Sequence, residues 1–217
     1  MIKKYFIPVL FIMITLSVIP AGSHALDISA GGTAWYTSWE TELDSKDKIE
    51  YNSDFLYGPV VSAAFTRDIS LSFVFLYGNF DMTFEDSSGN EDKIGIKRYD
   101  GDFALNYRIT NWFKLFAGVK YIRYTWSDDG KHEALGPGAG ISSVIPAGGN
   151  FFILGNFSGL YLKGDEQSGD DFDSKLKEYG YNASLSLAYY VQEASTTISL
   201  GGRYQYVKIE YDSTAAE

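Results

Sequence analysis

Ionisable residues recur at every second position in several segments of this chain. Arg98, Asp100 and Asp102 do so in one, and Lys114 and Lys120 keep a common parity in the next. Asp27, Asp54, Arg108, Glu178 and Arg203 hold corresponding positions in other segments. Residues two apart on a strand share a face, so these charges are predicted to point to one side of a sheet. Two kinds of chemistry suit such a set. Mixed charges in a closed interior would pair with one another, because an unpaired buried charge is costly. Alternatively, they would form a charged constriction, in which rings of side chains select ions.

Other reactive residues are sparse. His132 is the one histidine after residue 25, and it stands near Ser127, Asp128, Asp129 and Glu133. A histidine beside a carboxylate can act as a general base, which would make a hydrolase with a rim active site. No nucleophile is identified by spacing, and a plain loop residue is the simpler reading. With no cysteine and one histidine, a zinc set is not available. Asp165, Glu166, Asp170, Asp171 and Asp173 offer oxygens that Ca²⁺ accepts, but their spacing is not that of an EF-hand. A solvated acidic loop is expected instead. Gly136, Gly138 and Gly140 do not make a phosphate loop, since no helix follows to supply the anion site. Glycines on alternate inward positions would let a bulky neighbour such as Phe116 or Trp35 pack inside. No catalytic residue, metal site or cofactor is assigned.

The elements that position these residues are strands. In the hairpin Lys97 to Trp126, Tyr99, Gly101, Phe103, Leu105, Tyr107 and Ile109 fall on one face. Arg98, Asp100, Asp102, Ala104, Asn106 and Arg108 fall on the other. After a turn at Thr110-Asn111-Trp112, Phe113, Leu115, Ala117, Val119 and Tyr121 oppose Lys114, Phe116, Gly118, Lys120 and Ile122. Each arm is about 12 residues, longer than the usual 5–6. The apolar face carries aromatics at both ends. A strand of roughly 9–11 residues, apolar on one side and belted by aromatics, suits a bilayer-spanning barrel. A soluble sandwich or lipocalin-like barrel is the alternative.

Composition agrees. Lys3 and Lys4, the apolar run Tyr5 to Ile19 and small residues up to Ala25 form a secretory leader. The expected organisation is residues 1–25 as signal peptide and 26–217 as one barrel domain. Losing those two lysines would take the formal charge from −10 to about −12. An acidic exported chain does not suit nucleic acid, which wants a basic surface. Aromatics at 17% with 17 tyrosines and 22 glycines, and no cysteine, fit a barrel held by closed strand pairing. No later run is long and apolar enough for a transmembrane helix, so spanning would require a closed barrel.

Nine strands are readable: Leu26 to Trp39, Tyr51 to Thr66, Ile69 to Glu85, the two hairpin arms, His132 to Ile145, Phe151 to Lys163, Lys175 to Val191 and Thr196 to Tyr211. Pro59 is awkward for a central strand. Faces are least defined at Phe151-Phe152-Ile153-Leu154. Predicted loops at Glu40–Glu50, Asp86–Lys93, Ser127–Lys131 and Gly164–Ser174 are longer and polar, the last the most acidic. Those at Arg67-Asp68, Thr110–Trp112, Pro146–Asn150 and Gln192–Ser195 are short. Short periplasmic turns and long outer loops are the asymmetry of an outer-membrane barrel. Single-chain bacterial barrels have even strand numbers. Nine therefore leads to the expectation of ten strands with the last missing from this chain, and two other readings stay open: one strand misread leaving eight, or direct parallel closure of the first strand on the last.

With these features, and strands such as Leu115-Phe116-Ala117-Gly118-Val119-Lys120-Tyr121, the chain resembles the small outer-membrane β-barrels of Gram-negative-type bacteria, the porin-like or OmpA-like superfamily. The resemblance covers Leu26 to Tyr211 and no narrower family. It implies an all-β, antiparallel up-and-down transmembrane barrel in the outer membrane, contacting lipid and lipopolysaccharide. The expected role is structural, a narrow pore, or recognition of small solutes or surface partners through the acidic outer loops, without enzymatic activity. The rivals are the rim hydrolase at His132 and a soluble periplasmic barrel binding an apolar ligand.

Overall fold

A computed structural model describes residues 11–18, 26–42, 48–52, 54–85, 91–126, 130–168, 172–192 and 196–212. The strands are β1 (Phe11–Val18), β2 (Asp27–Glu42), β3 (Lys48–Glu50), β4 (Asp54–Ala64), β5 (Ile69–Glu85), β6 (Glu91–Thr110), β7 (Phe113–Trp126), β8 (Gly130–Gly148), β9 (Phe151–Ser168), β10 (Phe172–Val191) and β11 (Thr196–Tyr211). From β4 to β11 each strand pairs antiparallel with the next, as short turns dictate. A nine-stranded wall, β2 with β4 to β11, closes on itself.

Closure is by the third of the three routes left open by the odd count. β11 meets β2 in parallel, Arg203–Lys208 beside Thr37–Glu42. No tenth strand is needed to seal this part of the wall, and none of the nine is misread. Below the parallel stretch β2 and β11 diverge. Phe11–Val18, inside the stretch read as a leader, lies between them as β1, antiparallel to Val18↔Ile28 through Phe11↔Trp35 of β2 and to Thr196–Ser199 of β11.

Several expected loops prove to be strand. β2 continues to Glu42 and pairs with β3, so the Glu40–Glu50 loop is shorter than predicted. β6 begins at Glu91 and β8 at Gly130. β9 runs to Ser168 and β10 starts at Phe172, so most of Gly164–Ser174 is a hairpin. β8 also runs on to Gly148, past the predicted turn at Pro146, and Gly148 and Gly149 take positive φ (103° and 57°) there. The cause is common to the loop-side cases. The sequence boundaries follow the loss of apolar residues, whereas the hydrogen-bonded ladder needs none and extends beyond them.

The dyad pattern places side chains as read. Phe103, Leu105 and Tyr107 of β6, Leu115 and Val119 of β7, and Phe157 of β9 are exposed on the outside. Ile28, Val61, Phe73, Ile141, Leu185 and Leu200 extend this apolar band across β2, β4, β5, β8, β10 and β11. Aromatics edge it. Tyr57, Tyr77 and Tyr99 stand in a row across three strands, ring centroids 6.0 and 5.1 Å apart. Phe151 and Tyr189 contact at 4.7 Å near the turns. In β9 the four-residue apolar run divides with Phe151 and Ile153 exposed and Phe152 and Leu154 half-buried.

Pro59 leaves its mark. The β4–β5 register passes from Tyr57↔Tyr77 to Val60↔Val74 with no pairing recorded between. Proline lacks the N–H for that ladder, and β4 instead stays registered with β2 through Gly32↔Pro59. Gly140 supplies the expected space, since a Cβ there would stand 2.7 Å from Cζ of Phe116.

Candidate functional site

The inside of the barrel is layered. At the loop end, two apolar clusters fill it. Trp39, Leu56, Leu76 and Phe80 make one, and Ile122, Leu160, Leu162, Leu176, Val207 and Ile209 the other. Tyr124 packs against both.

A charged layer adjoins them, since Asp100 is the register partner of both Leu76 and Ile122. Arg98 and Asp100, two apart on β6, form a bidentate pair, Nε to Oδ1 at 2.7 Å and Nη2 to Oδ2 at 2.9 Å. Both are fully buried. A planar guanidinium matches a carboxylate in this fork geometry. Arg98 also donates to Gln205 Oε1 at 2.5 Å, and its guanidinium lies 4.5 Å from the Trp39 ring centroid and 5.4 Å from that of Tyr124. Lys120 donates to both oxygens of Asp102, its register partner, at 2.9 and 3.0 Å, and stands 3.9 Å from Asp100. Arg203 Nη2 reaches Asn182 and Gln205, both at 3.2 Å, and lies 3.5 Å from Asp100. Asp100 thus faces Arg98, Lys120 and Arg203 together.

Of the ten charges placed inside by sequence parity, Arg98, Asp100, Asp102, Lys120 and Arg203 meet in this layer. The others are elsewhere. Glu178 is buried and meets His132 instead. Arg108 and Lys114 are cross-strand partners near the turns, each half-buried. Asp27 and Asp54 are exposed at opposite ends of the wall, and Asp54 accepts the Phe55 amide at 2.7 Å.

His132 is displaced from the expected loop. It is the third residue of β8 and is 2% exposed. Lys131 and Glu133 flank it on the outer face and pair with each other, and the first apolar outward residue on this strand is Leu135, so His132 lies on the loop side of the band. Its Nδ1 meets Glu166 at 2.9 Å and its Nε2 meets Glu178. Tyr211 donates to the same Glu166 oxygen at 3.0 Å. Burial disfavours charge on the ring, but the two carboxylates outweigh it and raise the pKa to about 9. Held between two acids and closed off from solvent, this imidazole has no free nitrogen with which to take a substrate proton. The arrangement clamps β8, β9 and β10 together.

Of the five acids considered for Ca²⁺, Asp165 is exposed on β9, Glu166 holds His132, and Asp170 and Asp171 lie outside the described residues. The backbone of Asp173 is in β10. Among the described residues, no His, Asp and Glu side chains group as a metal site.

On the turn side of the charged layer lies a cavity of about 260 Å³. Asn106, Asn156, Asn182, Asp102, Lys120 and Arg203 line it. Sequence parity put Lys120, Asp102 and Arg203 inside but gave no weight to the asparagines. Trp39, Tyr124 and Gln205, which complete the charged layer, were also missed. Trp39, the last residue of the predicted first strand, follows Trp35 and Thr37 at the strand period and shares their inward parity.

No protein-family model, curated protein or solved structure matches this chain.

Proposed function

We propose that the protein is an integral outer-membrane β-barrel of a Gram-negative-type bacterium, with a closed lumen and interactions made by its acidic loop end. One observation carries this reading. Every strand of the wall turns large apolar side chains outward, while buried charges lie inside. A soluble barrel built for an apolar ligand has the reverse arrangement. Exposed apolar patches of a monomeric soluble protein seldom exceed a few hundred Å², whereas here the apolar band encircles the barrel.

The layered interior favours a structural or surface-recognition role over a pore. Small barrels fill their lumen with side chains, and here Leu56, Leu76, Ile122 and Leu162 are fully buried, with Leu76 and Ile122 on either side of Asp100 in register. The reading assigns no catalysis, and His132 serves as a clamp. Lipid and lipopolysaccharide are its expected surroundings.

The test has two parts. The chain expressed with its leader should remain in the membrane fraction after carbonate extraction and show heat-modifiable gel mobility. Recovery in the soluble fraction would defeat the membrane reading. Refolded in a planar bilayer, the folded barrel should give no discrete conductance steps. Steps that change when Asp100, Asp102 or Lys120 is neutralised would replace the closed barrel with a pore.

A further inference from the structure

We infer that the turn-side cavity is a binding site for a neutral, single-ring sugar, held by Ser142, Asn156 and Ser184. The inference concerns the lumen and holds whatever surrounds the barrel. The three residues stand side by side on β8, β9 and β10, in the register Ser142↔Asn156↔Ser184, and all line the cavity. Adjacent strands are about 4.8 Å apart, so polar side chains on register partners can pair. Elsewhere in the lumen they do. Ser29 and Ser62, register partners on β2 and β4, share a hydrogen bond of 2.6 Å. Asn182 donates to its partner Ser158 at 3.5 Å, and Asn106 on β6 donates to Ser72 on β5 at 3.1 Å. The row Ser142–Asn156–Ser184 is the exception. None of the three makes a hydrogen bond to a described residue, and their polar atoms remain accessible. A hydroxyl, an amide and a hydroxyl in line offer donors and acceptors at three successive points.

Charge makes the ligand a neutral one. Each charged group beside the cavity already faces a partner. Asp102 accepts from Lys120, and Arg203 is engaged by Asn182, Gln205 and Asp100. Asp102 is still 34% exposed, and a carboxylate can accept more donors than one ammonium supplies. It can therefore take a hydroxyl as well.

The rest of the lining gives the ligand its body. Ala104, Gly118 and Gly138 are register neighbours on β6, β7 and β8 and leave the wall nearly bare, and Phe116 lines the cavity beside them. Ligand sites are mostly apolar with a few placed polar groups. A sugar ring, with C–H faces and a hydroxyl edge, matches a bare floor bordered by such a row. A space of about 260 Å³ corresponds to roughly eight waters at about 30 Å³ each, enough for one six-membered ring with its hydroxyls.

The test is calorimetric titration of the folded chain in a polyoxyethylene detergent, which carries no sugar. The probes are glucose, galactose, mannose and cyclohexanol. At least one of the three sugars should bind, with an affinity that salt does not change, and cyclohexanol should bind about tenfold more weakly or less. Asn156→Leu should lose sugar binding by about tenfold or more. Ser142→Ala combined with Ser184→Ala should lose it too, and covers the case in which Asn156→Leu does not fold. Lys177→Gln, on the outer surface, should leave binding unchanged. The inference is overturned if none of the three sugars gives heat with protein that retains heat-modifiable mobility. It is equally overturned if cyclohexanol binds as well as the best sugar, if affinity falls as salt rises, or if either cavity variant, once folded, binds normally. None of these outcomes bears on carbonate extraction or conductance.

Discussion

The two halves of the lumen obey different rules, although the same strands build both. On the loop side the inward positions hold Leu56, Leu76, Ile122 and Leu162, packed as in the core of a soluble protein. On the turn side they hold Ser72, Asn106, Ser142, Asn156 and Ser158 around a cavity. Outside, the apolar band covers the turn half and reaches Phe55, Tyr57 and Phe75 beside Leu56 and Leu76, and charged residues such as Lys131, Glu133 and Lys163 stand beyond it. The loop half is stabilised by its interior, and the turn half must draw its stability from strand pairing and whatever covers its outer face.

The layer between the halves should be the most sensitive point. Asp100→Asn would remove the one charge that faces Arg98, Lys120 and Arg203 together, at a cost of about 3–5 kcal/mol, the usual range for breaking a buried pair. Urea unfolding of the refolded protein in detergent would measure it. A loss under 1 kcal/mol would mean that water reaches this layer and that the halves are not separated by it.

Next in size is the contrast between the halves themselves. Leu162→Ala should cost about 2–5 kcal/mol, the range for deleting a buried leucine side chain. Ser158→Ala, on the same strand and the same face, should stay within about 0.5 kcal/mol. Equal effects at the two sites would remove the distinction between a packed and an open half.

The smallest effect concerns pH. His132 has its pKa raised from 6.5 to about 9 by Glu166 and Glu178 despite burial. A group whose folded pKa is raised adds stability that is full below its unfolded pKa and lost as pH rises through the folded one. The melting temperature should therefore fall as pH rises between about 6.5 and 9. His132→Gln should flatten that window. A slope that survives the substitution would assign it to another group.

Much of this was legible from period alone. Alternation along β6 and β7 put Arg98, Asp100, Asp102 and Lys120 inside, since parity is a local property of a strand. What failed was non-local. His132 finds Glu166 and Glu178 at 34 and 46 residues' separation, through the register of β8, β9 and β10. Nothing in Ser127 to Glu133 signals that register, and its acidic flanks read as a loop. Trp39 and Tyr124 were hidden for a related reason, because the inward pattern outlasts the outward apolar one. The seam was undecidable locally. Whether the first and last strands meet depends on the tilt and stagger of the entire wall.

The parallel seam also decides how the barrel can be read out from its ends. Because β2 and β11 point the same way, β2 begins beside the turns at Asp27 and β11 ends beside the loops at Tyr211. An even-numbered barrel returns both ends to one compartment. Here a reporter placed before Asp27 and another placed after Asp212 would stand on opposite sides of any sheet of lipid that the wall crosses, so a single chain would carry an address label for each side.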